Sequence, residues 1–144
     1  MDIIYNDTKK DLPVEQLYRL FFSAGWAGSE ITPDADIRKD FNIPFINSTL
    51  VISAWENEKL VGTVRVLSDK IIRSVIYDLV VLPEFQNKGI GKELVRRCIE
   101  HYPDSEWLVQ TEEHIAGYYE KIGFKIYDDV VLTISSIYQC TENR

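Results

Sequence analysis

Val75-Ile76-Tyr77-Asp78-Leu79-Val80-Val81-Leu82-Pro83-Glu84-Phe85-Gln86-Asn87-Lys88-Gly89-Ile90-Gly91-Lys92 is the stretch that decides the fold. Its first part, residues 75–82, is a nearly unbroken apolar run of strand length, which reads as a strand buried on both faces at the centre of a sheet. Pro83 closes that strand. Beyond the polar loop, Ile90, Leu94, Val95, Cys98 and Ile99 recur at i, i+4, i+5, i+8 and i+9, one face of an amphipathic helix. A loop between such a strand and such a helix presents unpaired backbone N–H groups and the positive end of the helix dipole, which together suit a phosphate. Gly89 and Gly91 remove Cβ atoms that would hold an anion away from the backbone, and Lys88 and Lys92 add positive charge. Two glycines alone would equally suit an ordinary turn.

The better-known phosphate motifs fit this loop worse. No G-x-x-x-x-G-K-[ST] occurs, which excludes the triphosphate P-loop. A dinucleotide fingerprint needs a third glycine, but position 94 is Leu94. The loop therefore points to a pyrophosphate of another kind.

Working outward, Thr49 to Trp55 and Leu60 to Leu67 read as a hairpin around the turn Glu56-Asn57-Glu58. Ser68-Asp69-Lys70 turns again into the apolar strand. Upstream, Ile3-Ile4-Tyr5 is a short strand. Pro13 opens a helix carried by Val14, Leu17, Tyr18, Phe21 and Phe22, and Gly25 stops it. Thr32 or Asp34 caps a more polar helix over about residues 33–41, ending before Pro44. Downstream, Tyr102-Pro103-Asp104 breaks the amphipathic helix, and Trp107 to Gln110 is a strand. A short helix from Ile115 to Ile122 ends at Gly123, and residues 124–127 and 130–134 read as closing strands. This order mixes a meander with strand-helix-strand crossovers, so the expected class is α/β (α+β): three layers on a mixed sheet.

The 144 residues suit a single domain over 1–144, and 45% hydrophobic with 27% charged residues is ordinary globular composition. The formal charge of −7 disfavours nucleic acid as a partner and leans toward a cationic small molecule, although solubility alone would also explain it. Cys98 and Cys140 build neither a disulfide framework nor a metal-ligand spacing. The N-terminus lacks the pattern of a signal peptide, and no apolar run reaches the length of a membrane span. The expectation is a cytoplasmic, soluble domain without a membrane partner or a metal.

Two separated motifs carry a family resemblance. Val80 to Gly91, with Gln86-Asn87-Lys88-Gly89-Ile90-Gly91 at its centre, resembles the Q/R-x-x-G-x-G/A motif of the GNAT N-acetyltransferase superfamily. Tyr118-Tyr119-Glu120-Lys121-Ile122-Gly123-Phe124 is similar to that family's second motif, at the expected distance. The resemblance is firm over residues 60–127 and only topological over 1–55. It implies a three-layer domain with a central, mostly antiparallel sheet of six to seven strands flanked by about four helices. It also implies acetyl-CoA as cosubstrate. The amides of Gln86, Asn87, Lys88, Gly89, Ile90 and Gly91, with Lys92 beside them, would hold the pyrophosphate. Val80, Val81 and Leu82 would pair with the pantetheine arm like an added strand. A homodimer stays open.

Transfer of an acyl group from a thioester to an amine needs a neutral amine, a stabilised oxyanion and a protonated leaving thiolate. The resemblance makes Tyr119 the general acid, while Tyr118 packs, although the two hydroxyls could exchange roles. Asp78 is the odd carboxylate in an apolar strand, costly unless hydrogen-bonded or near an opening. In related acetyltransferases this stretch carries an acidic group that orients the amine or draws its proton, so the resemblance gives Asp78 that role, with a structural hydrogen bond as the alternative and Tyr77 in reserve. The family's usual oxyanion donor is a backbone N–H near Val80 or Val81. His101 and His114 receive no catalytic role, Cys98 reads as core, and Trp26 could line the acceptor pocket. Arg65 reads as an exposed strand charge before a cleft residue. Glu112 stands where many relatives have an Asn that contacts CoA. The expected function is acetyl transfer to a small cationic primary amine in a ternary complex. The alternatives are a protein amino-group acetyltransferase and a non-catalytic acyl-CoA sensor.

Overall fold

The computed structural model describes residues 2–25 and 39–136. Five strands form one sheet in the order β1-β2-β3-β4-β5. Strand β1 (Ile4–Asn6) pairs antiparallel with β2 (Leu50–Glu56), which forms the expected hairpin with β3 (Lys59–Ser68). Asn57 takes a positive φ of 53° in the tight turn between them, a conformation that Asn tolerates well. At the next turn the Asp69 carboxylate accepts the N–H groups of Ile71, Ile72 and Arg73 at 2.7–3.1 Å, and these bonds hold its carboxyl below the usual range. That clamp feeds β4 (Arg73–Val81), antiparallel to β3. Strand β5 (Glu106–Val109) runs parallel to β4, because helix α3 (Ile90–His101) carries the chain back across the sheet between them.

Helix α1 (Val14–Ser23) buries Leu17, Leu20 and Phe21, and Gly25 at φ +84° ends it as expected. Phe22, expected on the apolar face, is largely exposed. A four-residue helix, α2 (Ile43–Ile46), follows with Pro44 in its first turn. Reading Pro44 only as a stop missed it, although proline is well suited to a first turn. Most of the polar helix expected over about 33–41, with its caps Thr32 and Asp34, lies outside the described residues, as do Trp26 and Cys140.

The layers follow from alternation along β3. A Cβ on Gly62 would meet Leu94 of α3, so that face of the sheet carries α3. Arg65, an odd number of residues on, points the other way, where its guanidinium lies over Phe45 of α2, and Phe45 packs on Phe21 of α1. The sheet is therefore sandwiched between α1 with α2 and α3. Val61, Val64, Val66, Leu94, Val95 and Cys98 are all fully buried between the layers. Each buried aliphatic side chain of this size contributes about 1.5–3 kcal/mol of burial.

Two expectations are corrected. The strand over 75–82 is not buried on both faces: Tyr77 is 41% exposed, and Leu67 and Leu108, the partners of Val75 on the same face, are exposed as well. The strands expected over 124–127 and 130–134 do not form, so the described sheet has five strands rather than six or seven. Ile126, Val130, Leu132 and Ile134 are exposed in that stretch. Alternating apolar residues make a strand only where a partner completes the ladder, and among the described residues no strand pairs with this stretch.

Candidate active site

The register of β4 against β5 runs from Arg73↔Glu106 to Ile76↔Val109 and stops there. Beyond that pair, residues 77–81 of β4 have no β5 partner, so the two parallel strands part at their carboxyl ends. Crevices at that end of a parallel pair are where open α/β sheets take their ligands.

The loop from β4 to α3 opens at the same end. A turn of 3₁₀ helix (Pro83–Phe85) leads to Gln86, whose side-chain amide donates to the Val81 carbonyl at 3.0 Å. Gln86 thus ties the loop back to the strand end. Asn87 (φ +62°) and Gly89 (φ +84°) both lie in the left-handed region, which curls successive N–H groups into an anion-binding concavity. The first bond of α3 runs from the Glu93 N–H to the Gly89 carbonyl at 3.0 Å, so the amides of Ile90, Gly91 and Lys92 precede it and stay uncommitted by the helix. Lys88 and Lys59 both lie about 5.5 Å from the centre of the Phe85 ring, Lys59 also pairing with Glu84 at 3.4 Å. The concavity, the helix end and the cations fit a pyrophosphate.

The two glycines act differently from one another. A Cβ on Gly89 would meet nothing within 4 Å, so glycine is needed there for its φ. At Gly91 a Cβ would stand 2.8 Å from the Tyr118 hydroxyl and 3.8 Å from Val81 Cγ2. Tyr118 therefore leans over the start of α3 beside the end of β4. It comes from α4 (Ala116–Glu120), and burial first, then the neighbouring Tyr119, pushes its phenol up to about 12. Tyr119 is 7% exposed, edge-on to both Tyr118 and Phe124 with centroids 5.2 and 5.6 Å apart, and its pKa too is raised by burial. Gly123 at φ +122° turns the chain so that the Phe124 N–H reaches the Tyr119 carbonyl at 3.1 Å. Neither phenol has a hydrogen-bond partner among the described residues, and both are neutral at physiological pH.

On the other face of β4 lies an ion pair. The register shifts between Thr63↔Val80 and Arg65↔Tyr77, so β4 carries one residue more than β3 there, a β-bulge. Asp78 sits in it at φ +53°, an uncommon conformation for a residue with a side chain. Its Oδ2 accepts from Arg65 Nε at 2.5 Å, with the two side chains 27% and 19% exposed. Arg65 also donates weakly to Ser48 Oγ at 3.5 Å, and its guanidinium lies between the rings of Phe45 and Tyr77 at 5.9 and 5.3 Å. The Asp78 expectation thus meets a specific partner, and Arg65 is far less exposed than a strand charge should be. Opposite charges on neighbouring strands hinted at the pair, but the bulge that joins them has no sequence signature.

The remaining candidates stand apart. His101 pairs with Asp7 at 3.0 Å, and the exposed His114 with Glu112 at 3.3 Å, which leaves Glu112 beside the 3₁₀ turn before α4. Cys98 is fully buried in α3 and its thiol is pushed up to about 12 by burial, so it is inert core as expected.

Comparison with known proteins agrees with this geometry. Residues 47–126 match the acetyltransferase (GNAT) domain. The chain is 30% identical over 128 residues to the uncharacterized N-acetyltransferase ycf52 of Pyropia yezoensis, covering 84% of this chain and 70% of that protein. Its fold is similar to that of a GNAT-family acetyltransferase from Streptococcus pneumoniae, with TM-score 0.76, 22% identity and coverage of 94% and 99%. A putative acetyltransferase from Deinococcus radiodurans gives TM-score 0.74, 22% identity and coverage of 95% and 90%. An anion-binding helix start beside a parting pair of parallel strands, on a sequence with these relatives, makes this chain an acetyltransferase of the GNAT family.

Proposed function

We propose that this protein transfers the acetyl group of acetyl-CoA to the primary amine of a small molecule, directly, within a ternary complex. The observation that carries the reading is the parting of β4 from β5 after Ile76↔Val109, at the same end as the free amides of α3. Ile90, Gly91 and Lys92 amides, with Lys88, take the pyrophosphate; the end of β4 that β5 leaves uncovered, at Val80 and Val81 with Leu82 just beyond it, takes the pantetheine amides as an added strand. When bound, acetyl-CoA supplies the acetyl group as a reactive thioester.

The chain's own residues do the rest. Asp78 receives the acceptor ammonium through Oδ1, which has no partner among the described residues, and draws a proton from it directly or through water. A backbone N–H at Val80 or Val81 faces the oxyanion. Tyr119 holds the proton that the leaving sulfur takes up. The Tyr119 side chain is buried and its hydroxyl has no partner among the described residues, a state that costs about 1–3 kcal/mol and that a partner arriving with the substrate relieves. Free thiol released from acetyl-CoA only when an amine is present supports this reading. Binding of acetyl-CoA with no thiol release across an amine panel would leave a sensor module instead, and release with protein amines alone would move the acceptor to that class.

A further inference from the structure

The Arg65–Asp78 pair lies at the β4 bulge, where the reading above puts the acceptor, and its arrangement exceeds what an ion pair needs. A guanidinium has five N–H donors in a fork that matches a carboxylate. Here Nε is taken by Asp78 and Nη1 reaches Ser48 Oγ only at 3.5 Å. No described residue takes the Nη2 donors. The group is nevertheless held in place, flanked by the rings of Phe45 and Tyr77. Asp78 is likewise half used, with Oδ1 open, and is kept in a left-handed conformation at the bulge. A positive φ off glycine persists where the surroundings impose it and gathers at functional sites. Placing one residual positive and one residual negative edge side by side is a poor design for a simple cation, since Arg65 repels what Asp78 attracts.

Building on the transferase reading above, we infer that the acceptor is an amine bearing its own carboxylate a few bonds from the nitrogen, a free amino acid. Arg65 takes the carboxylate through its free fork while Asp78 takes the ammonium. The two protein charges are in contact at 2.5 Å, so their open edges lie within the span of such a zwitterion. Arg65 is then a specificity residue, because it touches the part of the acceptor that does not react. Tyr77, 41% exposed beside it, walls the site toward solvent.

The test uses matched acceptors: free amino acids and the amines left when each loses its carboxyl group. Thiol release from acetyl-CoA is measured on the full chain and on Arg65→Gln. The unaltered protein is expected to favour the acid of its best pair by ten-fold or more in kcat/KM, and Arg65→Gln to bring that ratio near one by raising KM for the acid. Preference for the decarboxylated amine, a ratio unmoved in Arg65→Gln, or turnover of neither kind by protein that binds acetyl-CoA would overturn the inference. If Arg65→Gln does not fold, calorimetry on the unaltered protein with CoA bound decides: the acid must bind at least ten-fold tighter than its amine, and equal affinity overturns the inference. Failure to bind acetyl-CoA at all brings down the transferase reading, and calorimetry with acetyl-CoA alone separates that failure from the others.

Discussion

On the proposed reading, the edge of β4 and its bulge would recognise their ligands by different means. The proposed cosubstrate half is built from main chain: the edge of β4 beyond β5 and the first amides of α3, held in place by two residues of positive φ. The proposed acceptor half is built from side chains, Arg65, Asp78 and Tyr77, aimed by one extra residue in a strand. Backbone donors do not change when side chains do, so a binding mode made of them can persist in relatives sharing about a third of their residues. A site made of side chains is free to diverge, and the proposal puts the acceptor in that half.

The largest expected effect lies where the halves meet, at the sulfur. Tyr119→Phe keeps the ring between Tyr118 and Phe124 and removes only a hydroxyl without a partner among the described residues, so melting should hold or rise slightly. If the hydroxyl protonates the thiolate, kcat falls about 10²-fold with the acetyl-CoA KM steady. Tyr118→Phe is the control, since its hydroxyl lies against Gly91 instead. A larger loss in Tyr118→Phe than in Tyr119→Phe would exchange their roles.

Next in size is the backbone half itself. Gly89→Val places a β-branched residue at φ +84°, which costs at least about 1–2 kcal/mol and re-aims the N–H groups before α3. Acetyl-CoA affinity should fall ten-fold or more by calorimetry. Unchanged affinity in folded Gly89→Val protein would show that the concavity is not the pyrophosphate site.

The side-chain half gives a smaller and separable loss. Asp78→Asn still accepts a hydrogen bond from Arg65 Nε but no longer offers a charge to an ammonium. The acceptor KM should rise about ten-fold while acetyl-CoA affinity stays constant. A drop in melting temperature with normal acceptor kinetics would reduce Asp78 to a clasp for the bulge and erase the division between the halves.

The same division explains what could be read from the sequence. The strand, glycine loop and helix over 75–101 were legible because their signals are local: apolar period, glycine and proline position. Asp78 was conspicuous as a charge in an apolar run. Its bulge was hidden, because a bulge is a property of two strands in register and not of one. Burial of Arg65 depends on Phe45 of α2 and on Ser48 just beyond it, a place where Pro44 reads as a stop rather than as the first turn of a helix. Residues 124–134 alternate like strands yet lie exposed, since alternation specifies a face and not a partner.

The smallest expected effect concerns the scaffold that holds the cosubstrate half. In the first turn of α3, Glu93 accepts from Arg96 at 2.6 and 2.9 Å and from Arg97 at 2.8 Å, while Arg96 also pairs with Glu100. The Arg96 guanidinium first, then Arg97, pulls the Glu93 carboxyl down to about 2. A carboxyl lowered on folding stabilises the fold above its unfolded value near 4.5, and that contribution fades as pH falls from there through about 2. Both arginine partners are substantially open to water, so screening reduces the contribution to about 0.5–1 kcal/mol. Glu93→Gln should therefore melt slightly below the unaltered protein at pH 7, and the gap should close as pH drops from 4.5 toward 2. Neither KM should move, because Glu93 supports the helix and contacts no ligand. A gap that persists at pH 2 would trace the effect to packing, and a raised acetyl-CoA KM would place Glu93 inside the backbone site that it is expected only to support.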